Sequence, residues 1–222
     1  MFKAITYKEW IKLKTIFLGI LTINLLVVFY IFLSVSHDLK FMAAVGYWNK
    51  IIFRGVMFYD FYKFFPLASG VFLALAQFIP EIMKNRIKLT FHLPIDENKV
   101  LLWMAGFGAL LLSAIYLLVG LIFFSLSMVY FPIEITSSLL LTVLPWMLGG
   151  LIMYFIVSII ILEPNLPRRL FMLVIGYWIF DILYASYWYN IYTNIFPLII
   201  LAVILLSVSI LIPGFRFRKG AR

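Results

Sequence analysis

The chain has 222 residues, of which 65% are hydrophobic and 12% are charged, with no cysteine and a formal net charge of +9. Soluble domains are on average about half apolar and a quarter charged, so this composition excludes an ordinary water-soluble core. The lack of cysteine excludes disulfide frameworks, thiolate metal sites and cysteine nucleophiles. We therefore expect a single transmembrane domain over residues 1–222.

The first 14 residues form a basic amphipathic stretch. Phe2, Ile5 and Trp10 are interleaved there with four lysines and Glu9. This pattern predicts an elbow helix over residues 1–14 that lies on the inner leaflet before the first span. A simple basic flank of that span is the alternative, because four lysines would serve for a flank alone.

Apolar runs long enough to cross a bilayer follow one another along the chain. Lipid offers no partner to free peptide groups, and strand-length alternation is missing, so helices rather than a barrel are expected. The predicted fold is therefore all-α and polytopic, with six transmembrane helices at about residues 15–36, 61–80, 100–129, 137–162, 169–187 and 195–212.

The basic residues are unevenly distributed between the two sets of loops. Fourteen of the 18 lie at the ends of the chain and in alternate loops, namely Lys3, Lys8, Lys12, Lys14, Lys84, Arg86, Lys88, Lys99, Arg168, Arg169, Arg216, Arg218, Lys219 and Arg222. Short cytoplasmic segments retain Lys and Arg, so both termini are expected in the cytoplasm. Because the charge lies beside the spans, we expect membrane lipid and not nucleic acid as its partner.

The connection between the second and third predicted spans is itself amphipathic. Met83, Ile87 and Phe91 recur every four residues, and Pro94 closes the segment. Three cations, Lys84, Arg86 and Lys88, lie between them. This pattern predicts a short surface helix at residues 82–93 that could dock into a groove on a cytoplasmic partner. An interfacial flank that anchors the second span is the alternative.

Reactive groups are scarce. The only histidines, His37 and His92, fall in loops predicted on opposite sides of the membrane, and no Gly-x-x-x-x-Gly-Lys-Ser/Thr phosphate loop occurs. No catalytic residue, metal ligand or cofactor is therefore expected on this chain. Asp181 is the clear intramembrane carboxylate, and it should face the bundle, a water-filled cavity or a hydrogen-bonding partner. A structural role and a role in a substrate or proton pathway both remain open for it.

The order of these features resembles permease subunits of type-2 ATP-binding-cassette exporters over nearly the whole chain. In that family an amphipathic elbow precedes six spans, and the loop after the second span begins with Glu, continues through basic and Leu-rich residues and closes with Leu-Pro-Ile. The matching positions here are Glu81, Arg86, Leu89, Leu93, Pro94 and Ile95. Where the family often has Gly-Thr, this chain has Lys84-Asn85-Arg86.

The resemblance implies a function and partners. The family's loop is a coupling helix that contacts the ATPase, a role that falls here on Glu81, Met83, Lys84, Arg86, Ile87, Lys88, Phe91, Leu93 and Pro94. It further implies cytoplasmic ATPase subunits, a second identical or related permease subunit, export of a hydrophobic or amphipathic substrate, and the bacterial inner membrane. A non-transporting membrane scaffold or immunity-type protein is the alternative, and an intramembrane enzyme ranks last because reactive groups are few.

Overall fold

The computed structural model describes residues 2–41, 44–83, 96–184 and 188–218, and every regular element in these ranges is helical. Short 3₁₀ turns at Asp60–Lys63 and Thr193–Ile195 lead into two of the helices. The α-helices are α1 (Phe2–Phe41), α2 (Ala44–Ile52), α3 (Phe64–Met83), α4 (Glu97–Tyr130), α5 (Ile133–Leu162), α6 (Leu166–Tyr184), α7 (Phe196–Ser209) and α8 (Leu211–Arg218).

Five helical stretches of the described chain are long and apolar enough to cross a membrane. These are Phe2–Phe41, Asp60–Met83, Glu97–Tyr130, Ile133–Leu162 and Thr193–Arg216. The all-helical integral membrane architecture is therefore as expected, but the count of six spans is not confirmed. The remaining predicted span corresponds to α6, a 19-residue helix whose three charged residues, Arg168, Arg169 and Asp181, weaken its apolar character.

The N-terminal segment is helical but is not a separate element. Residues 2–14 continue without a break into the first span as the 40-residue helix α1. At about 1.5 Å per residue, α1 is about 60 Å long and so exceeds the roughly 30 Å hydrocarbon core. The predicted elbow lying apart from the first span is thus not confirmed, because residues 2–14 pack on the end of α3 and the start of α4 instead.

Consecutive long helices run in opposite directions, which gives the bundle two ends. The proximal end carries residues 2–14, Met83, Glu97 and Leu162, as the contacts Lys8 to Glu81 and Thr6 to Trp103 show. The distal end carries Phe41, Asp60, Tyr130 and Tyr184, where the rings of Phe32 and Tyr130 stack with centroids 6.0 Å apart.

Helices α3 and α5 form the most extensive pair in the bundle. They approach closely at Gly70 and Gly150, where a β-carbon on Gly70 would overlap the carbonyl oxygen of Gly150. Helix α5 is also the central helix, since 67% of its apolar stretch is buried against only 11% for the Thr193–Arg216 stretch. In lipid, small residues allow the backbone-to-backbone van der Waals packing that holds helices together.

An aromatic cap closes the distal end. Tyr59 is fully buried, and Phe58 stacks on Phe131 with ring centroids 4.8 Å apart. Burial raises the pKa of Tyr47 and of Tyr189 to about 12. These phenols therefore stay neutral near pH 7 and pack as amphipathic rings at this end.

Candidate functional site: a buried polar cluster

Two carboxylates are buried side by side at the proximal end. Glu9 on α1 and Glu81 on α3 are both 0% exposed. The Lys12 ammonium lies between them, 2.7 Å from Glu9 Oε1 and 3.1 Å from Glu81 Oε1. Lys8 Nζ adds a second ion pair, 3.0 Å from Glu81 Oε1. Helices α1 and α3 are thus joined by charge-assisted hydrogen bonds.

Gln77 extends this arrangement to two more helices. Its Nε2 donates to Glu9 Oε2 at 2.9 Å and to the Met104 carbonyl of α4 at 2.7 Å. Its Oε1 accepts from the Tyr154 hydroxyl of α5 at 2.6 Å. We call Lys8, Glu9, Lys12, Gln77, Glu81 and Tyr154 the buried polar cluster. It ties α1, α3, α4 and α5 together in one hydrogen-bonded network.

The charges of the cluster balance. Two carboxylates face two ammonium groups, and only the lysines reach the surface, with side-chain exposures of 40% for Lys8 and 14% for Lys12. Buried ions are tolerated only when they are paired and hydrogen-bonded, because each loses several kcal/mol of hydration. The lysine stems lie along the helix surface and carry their charged ends inward to the carboxylates.

Helical spacing explains how the sequence builds this site. Gln77 and Glu81 are four residues apart and share one face of α3, while Glu9 and Lys12 are three residues apart on α1. Gly108 on α4 supplies the space, since a β-carbon there would overlap Gln77 Oε1 and the Tyr154 hydroxyl. The cluster therefore needs a residue without a side chain at this position.

Other polar contacts support the same helices. Asn24 on α1 is 1% exposed and donates from Nδ2 to Ser69 Oγ on α3 at 2.9 Å. At the proximal end, the buried Glu163 accepts from Arg216 Nη1 at 3.0 Å. Also at this end, Lys99 donates to the exposed Asp96 carboxylate and thereby lowers its pKa. Buried polar contacts thus continue beyond the cluster toward mid-bundle and toward α8.

The predicted coupling residues divide into two groups. Glu81 lies inside the cluster, whereas Met83, two residues later at the end of α3, is 79% exposed. The other positions lie outside the described residues, and these are Lys84, Arg86, Ile87, Lys88, Phe91, Leu93 and Pro94.

Asp181 lies away from the cluster. It is on the exposed, outward face of α6, and within the described part of the chain no hydrogen bond or ion pair to it is found. In the single chain Asp181 therefore does not face the bundle, and the other two expectations, a water-filled cavity or a hydrogen-bonding partner, stay predictions. Asp181 can therefore contact other side chains of α6 but not the buried core of the bundle.

Sequence reasoning missed most of the cluster. Glu9 was assigned to the polar side of an interfacial helix, yet Ile5, Glu9 and Leu13 recur every four residues and are all buried. Gln77 falls inside the second predicted span, residues 61–80, and its sequence context predicts no role for it, although it lies on α3 within the cluster. The available signal was the Gln77–Glu81 pair, two polar residues one turn apart at the end of an apolar run.

The cluster is a set of paired charges and hydrogen bonds between helices. Each of its carboxylates is engaged by lysine or amide donors, and no group of three metal-ligating side chains occurs within the described ranges. Comparison with protein-family models, curated proteins and solved structures gives no significant match.

The Tyr154 hydroxyl offers a direct test of the network. Tyr154→Phe removes the donor to Gln77 Oε1 and leaves that buried amide oxygen without its hydroxyl partner. We expect a loss of about 1–3 kcal/mol in the free energy of unfolding, measured by thermal unfolding in detergent. The matched control is Tyr7→Phe, whose side chain is at the same end but 66% exposed. Equal effects of the two substitutions would show that the network contributes nothing.

Proposed function

We propose that this chain is the permease subunit of an ATP-binding-cassette exporter in the bacterial inner membrane, with a separate ATPase and both termini in the cytoplasm. One observation carries the proposal. Glu81 is fully buried in the last turn of α3, directly before the predicted coupling segment at residues 82–93. Ionisable groups buried among membrane helices are costly, so they more often serve function than packing alone.

The cluster supplies a route for motion from the loop to the helices. A displacement of the predicted coupling segment, residues 82–93, acts first on the end of α3, where Glu81 is held by Lys8 and Lys12 of α1. One turn earlier, Gln77 connects to α4 and α5. Movement of the loop therefore reaches four helices through two side chains of α3, which is a contiguous physical network.

The ion pairs favour a few distinct positions of the helices over a continuous range of positions. Lys12 serves Glu9 and Glu81 together, so a shift that parts Glu81 from Lys12 leaves a buried carboxylate short of a partner. Such a state is costly unless another pairing forms, for example through Lys8. ATP binding and hydrolysis on the partner subunit would then shift the population between two pairings, and with them two helix arrangements.

An apolar groove next to the cluster supports a hydrophobic or amphipathic substrate. It has a volume of about 590 Å³ and lies between α1 and α3, with Gly19, Ile23, Phe72 and Ile79 among its lining residues. It reaches Pro80, the residue before Glu81. The lining is apolar apart from Thr15, so the groove fits the apolar body of such a substrate.

The alternative is a non-transporting membrane scaffold. It is favoured by the fact that the cluster is neutral and hydrogen-bonded, as a purely structural site would be. A scaffold needs no ATPase. The two proposals therefore differ in whether the loop after Glu81 binds an ATP-hydrolysing partner.

The test reverses the loop charges. The triple variant Lys84→Glu, Arg86→Glu, Lys88→Glu should co-purify with at least tenfold less ATPase than the wild type does. Its thermal unfolding temperature should stay unchanged. Lys3→Glu with Lys14→Glu is the control, since both lysines are exposed at the same end and outside the loop. Retention of the ATPase by the triple variant, or equal loss in the control, would contradict the coupling role.

A further inference from the structure

The distal end holds the four basic residues that lie outside the proximal set. These are Lys40, Lys50, Arg54 and Lys63, which all fall within residues 40–63, while the α4–α5 and α6–α7 connections contain no Lys or Arg. Non-cytoplasmic loops of membrane proteins are usually poor in both residues. With the orientation proposed above, this positive charge lies on the outer side of the membrane, so topology does not explain it.

A pocket with a volume of about 460 Å³ opens beside Arg54 at this end. Gly55 forms the turn at its edge with a φ of 63°, a left-handed conformation that glycine adopts without strain. The Tyr189 hydroxyl donates to the Val56 carbonyl at 3.0 Å and so ties this turn to the α6–α7 connection. The volume is in the range of small-molecule sites. The lining residues are Arg54, Gly55, Val56, Met57, Asp60 and Trp188.

The pocket carries a surplus of positive charge. Asp60 is the one acid among its lining residues, and both of its carboxylate oxygens accept from Lys63 Nζ, at 3.0 and 3.3 Å. The Lys63 side chain is only 3% exposed, so it is held close to Asp60 and neutralises it. Within the described part of the chain, no hydrogen bond or ion pair to the exposed Arg54 guanidinium is found. Arg54 is therefore available to an anion.

The surroundings of the pocket are those of a membrane interface. Ile52 and Phe53, directly before Arg54 in the chain, are exposed, and Phe53 is 83% exposed. Val56 and Trp188 in the pocket wall are also exposed. Exposed aromatic side chains mixed with basic ones favour the layer between hydrocarbon and water, where the phosphates of lipids lie. The anion nearest to Arg54 is thus a lipid phosphate.

We propose that this pocket binds the phosphate head of an anionic phospholipid. The planar guanidinium of Arg54 donates two parallel N–H bonds to phosphate oxygens, a geometry that a lysine ammonium does not offer. Val56, Met57 and Trp188 give the glycerol and the first acyl carbons an apolar wall. The surplus positive charge repels the ammonium group of a zwitterionic head, so an anionic lipid is preferred.

Lipid binding to the purified full-length chain tests the site. Native mass spectrometry in mild detergent would compare phosphatidylglycerol with phosphatidylcholine of the same acyl chains. The wild type should bind one phosphatidylglycerol in preference to phosphatidylcholine, and Arg54→Gln should weaken that binding about tenfold, as expected for loss of a charge-assisted contact. Equal binding of the two lipids by the wild type would overturn the proposal.

Lys40→Gln is the matched control for Arg54→Gln. It removes the same charge from an exposed position at the same end, but Lys40 does not line the pocket. Phosphatidylglycerol binding should therefore stay within about twofold of the wild type, as expected for a distant exposed charge. Equal weakening by the two substitutions would show general attraction to the surface and would overturn the pocket. Because both residues are exposed, both variants should unfold at the wild-type temperature.

Two further measurements identify what the pocket recognises. Arg54→Lys keeps the charge but loses the planar fork, so its affinity for phosphatidylglycerol should fall between those of the wild type and Arg54→Gln. Sodium phosphate in excess should leave the lipid bound, and its displacement would overturn a lipid as the occupant. The outer location rests on the orientation proposed above, but lipid binding needs no ATPase. This proposal and the exporter function can therefore fail separately.

Discussion

Replacing Lys12 with methionine should destabilise the protein more than any other single lysine substitution. The change removes the ammonium group that lies between Glu9 and Glu81 and leaves two buried carboxylates short of a cation. Removing one partner of a buried ion pair typically lowers the free energy of unfolding by about 3–5 kcal/mol. Thermal unfolding in detergent, followed by tryptophan fluorescence, would measure this loss.

Two further lysines serve as controls for Lys12→Met. Lys8→Met should cost less, because its side chain is 40% exposed and it contacts one carboxylate. Lys14→Met removes an exposed lysine of the same helix and should change the free energy of unfolding by no more than about 0.5 kcal/mol. The same cost for all three substitutions would mean that the buried polar cluster does not stabilise the fold.

Gly150→Ala should be strongly destabilising, as should Gly70→Ala on the facing helix, whose β-carbon would overlap the Gly150 carbonyl oxygen. A β-carbon at Gly150 would lie 2.5 Å from the carbonyl oxygen of Pro66 and would overlap the Tyr116 hydroxyl, which donates to that same oxygen at 2.7 Å. Because the obstacle includes backbone, α3 and α5 would have to separate. Overpacking costs about 1–3 kcal/mol even where side chains can move, so we expect about 3 kcal/mol.

Gly106→Ala is the matched control for the α3–α5 contact. It lies within helix α4, and a β-carbon there meets nothing within 4 Å. Both substitutions replace glycine by alanine inside a helix, so their difference isolates the packing term. If Gly150→Ala unfolded at the same temperature as Gly106→Ala, the close approach of α3 and α5 would be disproved.

Much of the fold could be predicted from the chain alone. Apolar runs indicate helices because lipid requires internally satisfied backbone groups, and the long helices coincide with those runs to within a few residues except at α1. The elbow predicted before the first span is not confirmed, because an amphipathic pattern does not say whether a helix lies in the interface or packs on its neighbours. The burial of Ile5, Glu9 and Leu13 shows that this part of α1 packs on its neighbours. That packing depends on residues far along the chain.

The candidate site was less accessible to sequence reasoning. Glu81 was found through its position at the start of a connecting loop, but its partners Lys8 and Lys12 are about 70 residues away in sequence. From sequence alone, a carboxylate near lysines is interpreted as a solvent-exposed charge. Only the fold shows that it is buried. For Asp181 the sequence left the bundle, a water-filled cavity and a hydrogen-bonding partner open, and only the fold shows that α6 places this residue outward in the single chain.

The most direct test of the proposed function is to identify what binds the wild-type chain. The chain would be tagged, purified from its native membrane in mild detergent, and the retained proteins identified and quantified by mass spectrometry. We expect a separate ATPase with a phosphate-binding loop, in roughly equal amount to this chain and active in ATP hydrolysis. Recovery of the folded chain without any such ATPase would contradict the exporter function and leave the scaffold as the better account.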